Sequence, residues 1–216
     1  MDHTPLFVFP RWSNKAVIWL ILCLLILPFY AAALITYALD PVTLNSNYQP
    51  KQPIAYSHAQ HVSQLGIDCR YCHSTVEKAA FAAVPTTDSC LNCHKTIRPN
   101  SDKLRLLHTP DKPILWQRVH MLPDYVYFNH SSHINALVSC LECHGNINRM
   151  ETVYQAEPLN MAWCLQCHPS PEDKLRPQDR ITDLEWKPPT PRAEFGKKLK
   201  QQYYINPNTD CVTCHR

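Results

Sequence analysis

Cys69-Arg70-Tyr71-Cys72-His73 is the first of five copies of the string Cys-x-x-Cys-His in this chain of 216 residues. The other copies begin at Cys90, Cys140, Cys164 and Cys211. The string is the attachment site of c-type haem: two thiols form thioethers to the haem vinyl groups, and the histidine that follows reaches the iron. Five copies predict five covalently bound haem c groups. So many haems on a short chain indicate electron transfer.

The motif assigns two sets of residues to the haems. The thioether cysteines are Cys69, Cys72, Cys90, Cys93, Cys140, Cys143, Cys164, Cys167, Cys211 and Cys214. The proximal iron ligands are His73, His94, His144, His168 and His215. Zinc is an alternative for paired cysteines, but structural zinc takes four ligands, so zinc knuckles come in pairs, and five is odd. A disulfide scaffold does not require histidine after each pair. The eleventh cysteine, Cys23, lies in an apolar run and is predicted to be a small buried hydrophobe.

Iron in an electron carrier takes a second strong axial ligand, which leaves no open site for a substrate. Two His-x-x-His pairs precede haem motifs, and their members are His58, His61, His130 and His133. This spacing places both imidazoles on one face of a short helix. We predict that the first histidine of each pair caps the local haem, on Cys69/Cys72 or Cys140/Cys143, and that the second reaches another haem.

The fifth distal ligand is predicted to be His120, which lies in the segment Arg118-Val119-His120. Met161 and His108 are further candidates. Packing against a porphyrin face is the alternative role for Met161, and a solvated loop position is the alternative for His108. His3 is predicted to lie across the membrane from the haems.

An uncharged run from Ala16 to Leu39 predicts a membrane helix. At the helical rise it extends about 36 Å, enough to cross a bilayer with some tilt. Pro28 lies inside the run, and membrane helices tolerate proline. A cleaved signal peptide is the alternative, suggested by the Ala31–Ala33 stretch, but its apolar region is shorter, at about 7–15 residues.

Charge predicts the orientation of this anchor. Arg11 and Lys15 precede the run and Asp40 closes it. Positive charge favours the cytoplasmic side, so the N-terminus is predicted inside and everything after Asp40 outside. Covalent haem attachment on the far side of the membrane agrees with that orientation.

An internal repeat divides the region that follows. Tyr56-Ser57-His58 and Phe128-Asn129-His130 open two similar units, and a second haem site with leucine after its first cysteine completes each. Neighbours that share ligands predict a stacked array rather than two free domains. The predicted segments are a cytoplasmic N-terminus 1–15, an anchor 16–39 and a haem domain 40–216, which comprises a dihaem unit 54–97, a connector 98–123, a dihaem unit 124–169, and a proline-rich strap with the fifth haem 170–216.

Composition limits regular structure. The chain has 3 glycines and 19 prolines, so long helices outside the anchor are not expected. The connector is predicted to be loop, the strap extended, and Ala193 to Tyr204 a helix with Phe195, Leu199 and Tyr203 on one face. The predicted fold is a mostly irregular and α-helical multihaem cytochrome c with a haem-packed core and little β-structure. A net charge of +3 gives no indication of nucleic-acid binding.

Three longer stretches carry a family resemblance. They are Gly66-Ile67-Asp68-Cys69, the segment from Trp116 to His130 that contains Arg118-Val119-His120-x-Leu122-Pro123-Asp124, and Glu157-Pro158-Leu159-x-Met161-x-Trp163-Cys164. The paired histidines resemble class III multihaem cytochromes. The whole pattern resembles the pentahaem cytochrome subunit of alternative complex III, a bacterial quinol:cytochrome c oxidoreductase.

This resemblance implies a set of partners and a location. The partners are an iron–sulfur subunit, polytopic quinol-binding membrane subunits, a monohaem cytochrome c and a terminal oxidase as a further acceptor. The location is the bacterial inner membrane, with the haem domain in the periplasm. The resemblance also implies that the chain relays electrons and is not catalytic alone.

Two other functions remain open. A stand-alone quinol dehydrogenase would need a quinol pocket near the anchor, where Asp40 and Lys51 could serve, but the fifth haem site and the ligand pattern disfavour it. A haem enzyme such as a nitrite reductase would need one five-coordinate iron. No Cys-x-x-Cys-Lys variant occurs in the sequence, and the chain has 12 histidines, enough to close every site.

Overall fold

The computed structural model describes residue 10 and residues 12–39, 46–109, 112–188 and 191–215. The chain separates into two compact units, Met1–Leu44 and Asn45–Arg216. His3, Arg11 and Asp40, which entered the predictions of topology and of a quinol pocket, lie outside the described residues.

One long helix dominates the first unit. Helix α1 spans Trp12–Leu39 and contains Pro28. Its 28 residues extend about 42 Å at the helical rise. The part from Trp12 to Tyr37 has a mean hydropathy of 2.6, which fits a single-pass membrane anchor. The helix begins four residues before the predicted Ala16, because Trp12 and the polar residues Ser13 and Asn14 continue the helix ahead of Lys15.

The prediction for Cys23 is wrong in one respect. Its side chain is exposed on α1 and is not buried in a protein core. Among the described residues of this unit, α1 has no other element to cover it, so its side chains face outward all around.

The second unit is built from short helices joined by irregular segments. The α-helices are α2 (Cys69–Cys72), α3 (Thr87–His94), α4 (His130–Asn135), α5 (Leu141–His144), α6 (Met161–Cys167), α7 (Arg192–Gln202) and α8 (Cys211–Cys214). A π-helix spans Ala59–Gln64, and 3-10 helices span Asp102–His108, Ile147–Arg149, Pro171–Lys174 and Gln178–Arg180. Across the described residues, strand-like pairing is limited to two isolated bridges, Val126–His215 and Val138–Leu175. The prediction of a helical fold with little β-structure is confirmed.

Two small apolar clusters hold the second unit together. The larger contains Ile134, Leu137, Leu175, Ile181, Leu199 and Ile205. The smaller contains Ile54, Leu107 and Ile114. The larger cluster joins α4, the strap and α7, so the strap is part of the core and not a peripheral tether.

The strap and α7 differ in detail from their predictions. The strap includes two 3-10 turns instead of running extended throughout. Helix α7 packs on the first turn so closely that a Cβ on Gly196 would lie 1.7 Å from the carbonyl oxygen of Glu172. Leu199 is buried, whereas Tyr203, which was predicted to share its face, caps the helix end and is 47% exposed. The connector, predicted to be loop, contains the 3-10 helix Asp102–His108.

Candidate haem-binding sites

Each Cys-x-x-Cys pair lies on a single helical turn. Residues three apart on a helix share one face, so the two thiols of each pair point to the same side. Local caps set these turns: the Asp68 carboxylate accepts a hydrogen bond from Arg70 N at 2.8 Å, and the Asn160 side chain accepts one from Trp163 N at 2.8 Å. None of the ten motif cysteines forms a disulfide, so all ten are available for thioether bonds to haem.

The first haem motifs of the two repeat units, which begin at Cys69 and Cys140, lie close together. The thiols of Cys69 and Cys140 hydrogen-bond to each other, and this bond and burial raise the pKa of Cys140. Burial also raises the pKa of Cys143 to about 12. The Cys140 and Cys143 thiols are therefore neutral at physiological pH.

An aromatic ring orients the first histidine pair. The Tyr56 ring stacks on His61 with centroids 4.4 Å apart and meets His58 edge-on at 4.8 Å. The second pair has the same arrangement around Phe128, which stacks on His133 at 4.5 Å and meets His130 edge-on at 4.8 Å. Sequence reasoning quoted both aromatics in the repeat but gave them no role. Their signal was the shared position two residues before the first histidine.

Three histidine pairs face each other at the separation that iron requires. Their ring centroids are 6.2 Å apart for His61 and His94, 6.2 Å for His133 and His168, and 6.4 Å for His130 and His144. An imidazole nitrogen binds a first-row transition metal at about 2 Å, so two rings on opposite sides of one ion have centroids about 6 Å apart. The side chains present therefore fit bis-histidine haem c.

Backbone carbonyls fix most of these rings through Nδ1. The acceptors are Ala83 O for His73, Ile97 O for His94, Asn208 O for His168, Ser57 O for His61, Ala80 O for His130 and Asn129 O for His133, at 2.6–3.0 Å. A proton held on Nδ1 leaves Nε2 as the free base that binds iron, and such partners also fix the ring's orientation.

Three histidines lie where the two repeat units of the sequence meet: His58, His120 and His144. Burial, then the neighbouring His73, lowers the pKa of His58 to about 4. Burial lowers the pKa of His144 to about 3 and that of His120 to about 4. His120 Nε2 lies 3.1 Å from His144 Nδ1. All three rings are therefore neutral, as metal ligands must be.

The remaining predicted ligands lie near the chain's last haem motif or at the surface. The His215 ring packs beside Tyr125 with centroids 5.7 Å apart. Met161 begins α6 and is 66% exposed. His108 ends a 3-10 helix and is exposed. The structure thus places His120 beside His144, whereas the ring that packs beside His215 is that of Tyr125.

Comparison with known proteins gives a family match for part of the chain. Residues 126–216 match the family model of cytochrome c7 and related cytochromes c. Together with the five motifs, this defines the class: the chain is a helical multihaem c-type cytochrome with covalently bound haem c.

One relative carries the comparison further. The chain is 35% identical over 100 residues to the multihaem cytochrome c subunit of menaquinone reductase from Nitratidesulfovibrio vulgaris. The aligned region is 44% of this chain and 47% of the relative, so the chain spans about half the length of the relative it matches.

Proposed function

We propose that the chain is a membrane-anchored pentahaem cytochrome that relays electrons within a quinol-oxidising respiratory complex of the alternative complex III type. The haem domain lies in the periplasm of a bacterium, and α1 crosses the inner membrane with its N-terminus in the cytoplasm. The chain is an electron-transfer subunit and is not catalytic alone.

The observation that carries this proposal is the repeated spacing of histidine rings. His61 with His94 and His133 with His168 lie at the same 6.2 Å centroid distance. Six-coordinate iron favours electron transfer over reaction with a substrate. The 6.4 Å centroid distance supports the pairing of His130 with His144. The sequence repeat extends this pairing to His58 and His73.

The proposed ligand set keeps five thioether pairs and five proximal histidines. His120 remains the proposed fifth distal ligand, without assignment to a particular haem, and Met161 and His108 remain further candidates. The contact between His120 and His144 favours a different role for His120, and a variant described below separates the two roles.

The proposed partners are an iron–sulfur subunit, polytopic quinol-binding subunits and a monohaem cytochrome c. A cytochrome c or a terminal oxidase accepts the electrons. The support is the relative, whose name describes a subunit of a menaquinone reductase.

That name also supports a second candidate function, in which electrons run toward a quinone. A chain of six-coordinate haems conducts in either direction, and partner potentials decide which. Reducing the purified complex with quinol or with a low-potential donor, and following the acceptor, distinguishes the two.

Purification tests the proposal. An affinity tag on the full-length chain should recover a multi-subunit complex from membranes, with about five haems per chain by pyridine haemochrome assay, as five motifs predict. The same chain isolated without partners should carry its haems but not oxidise quinol. Quinol oxidation by the isolated chain at a respiratory rate would replace this proposal with a stand-alone dehydrogenase.

A further inference from the structure

A cavity lies behind the third haem motif, on the side of the strap. Its volume is about 320 Å³. The lining includes Leu141 from α5, Arg176 and Trp186 from the strap, and Arg192 from α7. The cavity lining contains none of the motif cysteines or histidines.

The cavity wall has an excess of positive charge, because Arg149, Arg176, Lys187 and Arg192 line it together with one carboxylate, Glu185. A second carboxylate lies behind the wall. The Glu142 carboxylate, whose side chain is only 8% exposed, contacts Lys174 Nζ at 3.0 Å and Arg176 Nη2 at 3.8 Å. It also accepts a hydrogen bond from Arg192 Nη2. One carboxylate therefore faces three cations. Nearby, Glu185 is already paired with Arg149 at 2.8 Å, so it does not offset this excess.

Two guanidinium groups in the wall have unused donors. The Nε atoms of Arg176 and Arg192 are both buried and have no hydrogen-bond partner. A buried N–H without an acceptor destabilises the folded state, and more so when the group is charged. Such groups in native proteins usually indicate a ligand, ion or water.

Burial, a hydrogen bond and a cation–π contact hold the Arg176 side chain in place. It is 2% exposed, its Nη1 donates to Asp183 O at 2.7 Å, and its guanidinium lies 5.7 Å from the centroid of the Trp186 ring. Burial lowers the pKa of Arg176, whereas Glu142 opposes that shift. An additional anion in the cavity would stabilise the charged guanidinium further.

We propose that this cavity binds an oxyanion, a carboxylate or phosphate group, between Arg176 and Arg192. Guanidinium donors recognise such groups through charge-assisted hydrogen bonds. Two sources share this chemistry: a propionate of one of the chain's own haems, and a free anion from solvent. The proposal does not depend on the partners or on the direction of electron flow.

The test uses the full-length, haem-loaded chain in detergent, with inorganic phosphate as the probe for a free anion. The variants are Arg192→Gln, which removes charge and donor, and Arg192→Lys, which keeps the charge but removes the Nε donor. Lys174→Gln is the matched control, because Lys174 pairs with the same Glu142 but is absent from the cavity lining. Haem content and circular dichroism verify that each variant is folded.

A free anion predicts that phosphate, at constant ionic strength, raises the melting temperature of wild type and of Lys174→Gln. The apparent phosphate affinity should fall at least tenfold in both Arg192 variants. A bound propionate predicts no effect of phosphate. Instead, the midpoint potential of one haem should shift in Arg192→Lys, with no such shift in Lys174→Gln.

The proposal is overturned if phosphate has no effect on the wild type and the haem potentials of Arg192→Lys match those of the wild type. It is also overturned if Lys174→Gln changes either readout as much as Arg192→Lys does, because the effect would then belong to the ion-pair cluster and not to the cavity.

Discussion

The two repeat units, which begin at Tyr56 and Phe128, reach the same ring geometry from different local backbones. Seven residues separate His61 from Cys69, whereas six separate His133 from Cys140. In the second unit, α4 ends in a Schellman motif, with Val138 N bonded to His133 O at 3.0 Å. In the first, the corresponding bond from Ile67 N to His61 O spans one more residue, at 3.1 Å.

The additional residue is accommodated by a wider helical turn. The first unit has a π-helix where the second has the α-helix α4. Both turns then end at a residue with positive φ, Gly66 at 69° and Leu137 at 66°, three positions before the first cysteine. A π-turn absorbs a single inserted residue without moving the elements on either side, and such turns are frequent at functional sites.

The units also interlock. Ala59 N of the first unit donates to Met150 O of the second at 3.1 Å, and His130 N of the second donates to Ala80 O of the first at 3.0 Å. Each histidine pair is therefore positioned by the loop that follows the other unit's first haem motif. The comparison teaches that ring geometry is constrained, whereas local backbone type is not.

The largest expected effect comes from removing the second histidine of either pair. His61→Ala should open the iron on Cys90/Cys93, and His133→Ala the iron on Cys164/Cys167, because these rings face those proximal ligands. Each variant should show high-spin signal from about one haem in five, with covalent haem retained. Electron paramagnetic resonance and haem staining measure this, with the wild type as the reference. Opening of the Cys69/Cys72 haem in His61→Ala would refute the pairing.

A substitution of His120 tests a difference between the two repeat units, which lies in the partner of Nδ1 on the first proximal histidine. His73 Nδ1 bonds to a carbonyl, whereas His144 Nδ1 faces His120. If His120 is the fifth distal ligand, His120→Ala should add a high-spin signal of about one haem in five. A fully low-spin spectrum with one shifted midpoint potential would instead make His120 a positioning partner of His144.

Stability should distinguish the two positive-φ residues. Leu137 is 0% exposed, so Leu137→Ala should lower the free energy of unfolding by about 2–5 kcal/mol. A Cβ on Gly66 would meet nothing within 4 Å, so Gly66→Ala should cost only the backbone term of about 1–2 kcal/mol. Denaturant unfolding of both variants measures this. Equal losses would contradict the assignment of Leu137 to the core.

The smallest effect concerns the residue before each first cysteine. The Asp68 carboxylate accepts a hydrogen bond from Thr182 Oγ1, and the Ser139 hydroxyl donates one to Ile181 O, both at 2.8 Å. Each bond connects a haem motif to the strap. The hydrogen bond from Arg70 lowers the pKa of Asp68 to about 2. Because the folded pKa lies below the unfolded value of about 3.9, the charged form stabilises the protein above about pH 4.

Asp68→Asn should therefore cost about 1 kcal/mol at pH 6, and the difference from wild type should shrink as the pH falls from about 4 towards 2. Unfolding of both proteins at pH 6 and pH 3 measures it. Ser139→Ala serves as control, because serine does not titrate in this range. A difference that persists unchanged at pH 3 would show that the Asp68 charge is not responsible.

The sequence by itself determined the haem attachment motifs, the apolar anchor and the helical, sheet-poor fold. Thioether chemistry depends on two thiols and a histidine within five consecutive residues, and a membrane helix depends on one continuous apolar run. Both are local, so the order of residues suffices. The π-helix, the roles of Tyr56 and Phe128 and the buried course of the strap were not predicted, because each depends on contacts that cross between segments.

Only the tertiary structure decided which rings face each other and how the units interlock. His61 and His94 belong to different elements, and their separation depends on how the intervening chain packs. The placement of His120 beside His144, and of Arg176 and Arg192 around one cavity, has the same origin. Axial pairing and buried charge both depend on segments that are distant in the sequence. Packing of the whole core brings these segments together.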